Sequence, residues 1–141
     1  MQIFLPFKDI YKTAICLDPR RLNKQIIECK QILNVYYGVS KAWMNHPITK
    51  MYKNYGAFVE IYMHCLIAVK NGHHTDAQKI AGAGYILIPS FITDEYCNNM
   101  KRRLFTKDPI FYKDFASYGK SYENWYWDIE NNNWKIYKQN N

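Results

Sequence analysis

The pair Asp18-Pro19 fixes where the first long helix of this chain can begin. An aspartate caps well because its carboxylate accepts from the unpaired first-turn N–H groups, and proline at the first helical position has no N–H to satisfy. Gly38 supplies the stop, which predicts a helix over 19–36. With Arg21 as zero and about 100° per residue, Gln25 falls near +40°, Glu28 near −20° and Lys24 near −60°. Leu22, Ile26, Cys29 and Leu33 form a separate apolar stripe that faces the core. Glu28 is thus expected on a basic polar face rather than in the core. One carboxylate kept among cations suits acid–base chemistry beside a polyanion; the plainer alternative is a surface ion pair with Lys24 or Arg21.

The remaining segments also read as helices. Asn45 or His46 with Pro47 introduces a second helix, expected from about Ile48 to Lys70, with Gly72 as its stop. Met51, Tyr55, Phe58, Tyr62, Leu66 and Val69 recur there at three- and four-residue spacing and mark the centre of the core. Thr75 or Asp76 caps a short helix expected to break at Gly82-Ala83-Gly84, and Asp94 caps a third main helix ending near Phe105 or Thr106. No strand alternation stands out. The expected fold is all-α, a compact single-domain bundle over 1–141 with three main helices and an irregular aromatic-rich C-terminal segment.

Composition narrows the partner. A chain of 141 residues with 48% apolar residues can bury a real core, which excludes a disordered chain. Its 19 Lys and Arg against 12 Asp and Glu give a net charge of +7, which points to an acidic partner, nucleic acid first. Cys16, Cys29, Cys65 and Cys97 are widely spaced and read as reduced thiols. Pro6, Lys8 and Asp9 interrupt any signal-like N-terminal run, and no segment reaches bilayer-spanning length, so a cytoplasmic location (a host cytoplasm for a viral protein) and no membrane partner are expected. His73, His74 and Asp76 lack a second pair at metal-ligand spacing, and no Gly-rich phosphate loop is present; neither metal nor cofactor is expected.

Three ordered motifs carry a resemblance. The first is Leu17-Asp18 with Arg21-Leu22-x-Lys24-Gln25-x-x-Glu28 and Gln31-Ile32-Leu33. The second is Gly38-Val39-Ser40-Lys41-x-Trp43-x-Asn45-His46-Pro47 with Lys50-Met51-Tyr52. The third is Leu104-x-x-Lys107-Asp108-Pro109-x-x-Tyr112-x-x-Phe115. In their order and intervals, over about residues 1–120, they resemble the pyrimidine-dimer DNA glycosylase family, the phage endonuclease V type. The resemblance implies a helical bundle whose N-terminus lies in the active site. It also implies a glycosylase with apurinic/apyrimidinic (AP) lyase activity on damaged or modified pyrimidines. A terminal amine would be the nucleophile, and Glu28 would match the family's glutamate.

The best-known member has a small second residue, so its initiator methionine is removed. Here Gln2 hinders that removal, which leaves the Met1 amine as nucleophile, or the Gln2 amine after trimming, with Lys24 as a further candidate. The His and Arg that the best-known member carries beside its glutamate correspond to Arg21 and Ile27 here, so the lesion contacts do not carry over.

The expected partner is double-stranded DNA with a damaged or modified base, bound by a monomer. Lys101, Arg102, Arg103 and Lys107 form the densest cationic run and suit phosphate contacts, with Arg20, Arg21, Lys24, Gln25 and Lys50 nearer the reacting sugar. His46 either contacts DNA or caps its helix, and His64 is structural. Tyr122, Trp125, Tyr126, Trp127 and Trp134 either stack on bases or, as favoured, close the core as a lid. A non-catalytic DNA-binding protein on the same scaffold, or an RNA-binding module, would share the charge.

Overall fold

The computed structural model describes residues 1–138; the last three residues of the tail, 139–141, lie outside the described residues. The elements run α1 (Ile10–Cys16), α2 (Pro19–Tyr36), α3 (Pro47–Met51), α4 (Gly56–Lys70), α5 (His74–Leu87), α6 (Asp94–Lys107), a 3-10 segment (Lys113–Tyr118), β1 (Asn124–Asp128) and β2 (Asn133–Tyr137). The fold is therefore mostly helical but not all-α, and among the described residues four helices, α2, α4, α5 and α6, have 14 or more residues.

α2 begins as its cap dictates. Asp18 accepts from the Arg21 N–H at 3.3 Å and pairs with the Arg21 guanidinium at 3.0 Å. The Tyr112 hydroxyl also donates to the Asp18 carboxylate and accepts from the Asp18 N–H, tying the start of α2 to the chain after α6. Gly38, with φ +74°, carries the chain away from the helix end.

The expected second helix is two. α3 and α4 are separated by a turn through Lys53 and Asn54, and α4 restarts at Gly56, against the end of α2. A Cβ at Gly56 would lie 2.5 Å from the Tyr36 ring, so any larger residue here would have to displace that half-exposed ring. Conversely, α5 does not break at 82–84. Gly84 lies against α1, where a Cβ would meet Ile10 Cδ1 at 2.5 Å, and the helix ends only as Pro89 approaches, with Ile88 in extended backbone. The cap of α6 is Thr93, whose hydroxyl accepts from Tyr96 N–H; Asp94 is the first helical residue and the helix reaches Lys107.

The core is one cluster. Met51, Phe58, Tyr62 and Leu66 are buried in it with Ile32, Tyr96 and Met100, and the leading segment Ile3-Phe4-Leu5 threads through it. Cys29, Cys65 and Cys97 are buried free thiols, and Cys16 is a half-buried one.

The tail is not irregular. β1 and β2 form an antiparallel hairpin in register Asn124↔Tyr137 through Asp128↔Asn133. All five residues of β1 are half-buried, which erases the apolar–polar alternation by which a strand is recognised. Trp134 stacks on Tyr96 with centroids 4.7 Å apart, and Trp127 stacks on Phe91 at 6.0 Å. The aromatic tail thus packs as a lid on the helices. Among the described residues no helix is long and apolar enough to cross a membrane.

Candidate active site around the N-terminus

An open cleft of about 190 Å³ is lined by Met1, Gln2, Phe4, Arg20, Arg21, Lys24, Gln25, Glu28, Arg103 and Lys107. One carboxylate faces five side-chain cations and the terminal amine. Glu28 lies among the cations of the polar face on which the helical period puts it, yet its side chain is only 6% exposed. The N-terminal segment crosses the polar face of α2 and covers it, a tertiary effect that helical periodicity does not contain.

Gln25 sets the geometry. Its Oε1 accepts from the Phe4 N–H at 2.6 Å, which fixes the orientation of the amide. Its Nε2 then donates to the Gln2 carbonyl at 2.7 Å and to Glu28 Oε2 at 2.8 Å. The Tyr62 hydroxyl lies 3.4 Å from the same Oε1, so with 1% exposure and four polar contacts Gln25 is committed to holding the leading strand and Glu28 together. The Gln2 N–H points at Glu28 Oε2 from 3.4 Å.

Three tyrosines complete the clamp: Tyr62, which the sequence marks only as core, and Tyr96 and Tyr137, which it does not mark. Tyr62 donates to the Phe4 carbonyl at 2.7 Å. Tyr96 donates to the Ile3 carbonyl at 3.0 Å and accepts from Gln2 Nε2 at 3.2 Å. From β2, Tyr137 donates to the Met1 carbonyl at 2.6 Å and lies 3.1 Å from Gln2 Oε1. No local motif announces these roles, because each tyrosine reaches a backbone group at least 58 residues away.

The electrostatics follow from burial. Desolvation lowers the Met1 amine below its ordinary pKa; Glu28 opposes the shift, while Lys24 and Lys107 add to it. Burial likewise raises the Glu28 carboxyl, against the pull of the terminal amine, the Gln2 N–H and the same two lysines. Lys107 is lowered by its own burial and then by Arg103, Arg21 and Lys24. His46 caps α3, its Nδ1 accepting from the Ile48 N–H at 3.1 Å, and burial and the terminal amine lower its pKa. The neutral ring therefore carries its proton on Nε2.

The cationic run 101–107 does not form one strip. Lys101 sits over the rings of Phe7 and Tyr118, and Arg102 Nε donates to the Tyr118 carbonyl at 2.9 Å. Arg103 is 7% exposed, with one guanidinium nitrogen 2.6 Å from Asn124 Oδ1, and only it and Lys107 line the cleft. Lys50 lies in a separate groove between α3 and β1, with Lys53 and Trp127. Arg21 is paired with Asp18 rather than Glu28.

The sequence model of the pyrimidine dimer DNA glycosylase family matches residues 1–79. The chain belongs to this family. The matched span contains Met1, Gln2, Arg20, Arg21, Lys24, Gln25 and Glu28, so most of the cleft is family sequence, whereas Arg103, Lys107 and Tyr137 fall outside it. No curated protein and no solved structure matches the chain. Membership of this glycosylase family makes damaged DNA the coarse partner.

Proposed function

We propose that the protein is a DNA glycosylase with an associated AP lyase step, in which the Met1 amine is the nucleophile and Glu28 the catalytic carboxylate. One observation carries this reading: the leading backbone and Glu28 are held within hydrogen-bond reach inside a cationic cleft, the Gln2 N–H 3.4 Å from Glu28 Oε2. The neutral amine attacks C1′ of the damaged nucleotide, and the base leaves with the electron pair of the glycosidic bond and is protonated. Opening of the sugar gives an imine between the amine nitrogen and C1′. Loss of a C2′ proton then expels the 3′ phosphate by elimination. Glu28 stabilises the cationic sugar and imine and relays these protons. The burial that lowers the amine pKa enlarges its neutral, nucleophilic fraction at neutral pH.

Retention of Met1 fits its surroundings: its carbonyl is held by Tyr137 and its Sδ accepts from Thr49 Oγ1 at 3.7 Å. Intact-mass measurement of the natively produced protein checks it. A mass lacking methionine would hand the nucleophilic role to Gln2, whose nitrogen already faces Glu28.

The pH profile tests the assigned amine. Lys107→Met removes a cation that lowers the Met1 amine, so the amine pKa rises. Imine formation on abasic-site DNA requires neutral amine, so its acid limb is expected at higher pH than in the wild type. Single-turnover borohydride trapping at saturating DNA reads that midpoint, and an unmoved limb would exclude Met1 as the titrating group.

Phosphate contacts are assigned to Arg20, Lys24 and Lys107 at the cleft, with the other cations steering. Arg20→Ala with Lys24→Ala is expected to reduce the slope of log binding constant against log salt by about two. Arg102→Ala, already committed to Tyr118, is expected to leave that slope unchanged in a fluorescence titration.

A further inference from the structure

The loop between α2 and α3 carries a tryptophan that packing does not explain. Its backbone is well tied: the Val39 and Ser40 N–H groups both donate to the Asn34 carbonyl, Met44 N–H to Lys41 and His46 N–H to Trp43. Yet its tip presents apolar side chains to water, with Val39 74%, Trp43 46% and Met44 45% exposed. Trp43 also has φ +70°, the left-handed region that L side chains avoid and glycine fills freely. A bulky ring held on strained backbone and left outside the core points to a use other than folding.

The position of the loop suggests that use. The Trp43 ring meets the His46 ring edge-on at 5.8 Å, His46 meets the Tyr137 ring at 5.3 Å, and Tyr137 holds the Met1 carbonyl. The loop therefore stands two ring contacts from the residue that holds Met1, on the Met1 side of the molecule though not in the lining of the cleft. Exposed Lys41, Lys50 and Lys53 lie on or next to it in the chain. An apolar tip that carries Lys41 and is followed in the chain by Lys50 and Lys53 matches a partner that is anionic outside and flat and apolar inside, which describes stacked duplex DNA. Of the hairpin tryptophans, Trp127 and Trp134 pack against Phe91 and Tyr96 and Trp125 against Trp134, which leaves Trp43, among the described tryptophans, as the exposed one.

We propose that Trp43, backed by Met44, wedges into the base stack of duplex DNA beside the nucleotide whose sugar enters the cleft. A sugar inside a duplex is beyond reach of a buried amine, so its nucleotide must leave the stack, and an apolar side chain filling the gap keeps the duplex open. Trp43 is a positioning residue. This inference rests on the reading that the cleft takes DNA.

The test compares wild type, Trp43→Gly and Trp43→Phe on two DNAs: a duplex with an abasic site opposite 2-aminopurine, and the abasic strand alone. Wild-type binding is expected to raise 2-aminopurine fluorescence. Trp43→Gly should lose that rise and trap duplex DNA at least about tenfold more slowly, while trapping the single strand within about twofold of wild type. Because glycine relieves the backbone, its melting temperature should not fall, and Trp43→Phe should recover most of both duplex signals. A Gly variant with wild-type fluorescence and duplex trapping would overturn the wedge. So would a wild-type dimer that Trp43→Gly dissolves with no change on DNA, which would make the tip a protein contact. Absent trapping by every protein, with a fluorescence rise that still needs Trp43, would sink the imine chemistry and leave the wedge standing.

Discussion

Glu28→Gln is expected to bind abasic-site DNA at least as tightly as the wild type and to cut it about 10²–10⁴-fold more slowly. Binding is retained because the amide keeps an oxygen for the Gln25 Nε2 and Gln2 N–H donors while removing a negative charge beside the phosphates. Cutting is lost because an amide can neither balance the cationic imine nor accept its protons. Stability should move the opposite way. Burial raises the folded-state pKa of Glu28, so the folded protein favours the protonated form. The corresponding stability is greatest below the unfolded pKa and declines as pH rises through the folded one. At pH 8 the wild type therefore bears the full cost of a buried carboxylate, and the Gln variant should melt higher, with the gap narrowing on acidification. Thermal melts at pH 4 and pH 8 beside a strand-cleavage assay read both effects. A variant that cuts at full rate would remove Glu28 from the mechanism.

The second large effect concerns the chain start. Two residues placed before Met1, as a tag remnant would be, shift the free amine by about 7 Å of extended chain. They also enter a cleft of only about 190 Å³. Since an ångström of misplacement can cost a hundredfold, imine formation should fall by at least about 100-fold. Removal of the extension by a protease should restore it. Equal trapping by extended and native forms would move the nucleophile to a lysine, with Lys24 and Lys107 the cations nearest to hand.

Sequence carried the parts of this site that are local. The Asp18-Pro19 start gave α2 its register, and that register put Arg21, Lys24, Gln25 and Glu28 on one face. The helical period could not give the cover on that face, which only the family resemblance implied. Met1 to Phe4 have no helical period and no turn signal; they are fixed by Gln25, Tyr62, Tyr96 and Tyr137, contacts spanning up to 136 residues. The period therefore put Glu28 on the polar face of α2 but not under the segment that buries it. The same limit explains the missed hairpin, whose β1 is half-buried throughout. It explains the run through Gly84 as well, where a glycine that reads as a breaker is the point at which α5 touches Ile10. Charge density carries no direction: consecutive cations on α6 point to different sides, so Arg102 meets Tyr118 and Arg103 turns inward to Asn124.

The central claim is that the leading nitrogen of the chain, beside Glu28, forms the covalent bond to DNA. Borohydride reduction of the protein on abasic-site DNA, followed by peptide mapping of the adduct, tests it most directly. The adduct is expected on the peptide that begins at Met1, at its α-nitrogen. An adduct on an internal lysine, or none under conditions where the protein binds that DNA, would contradict the account.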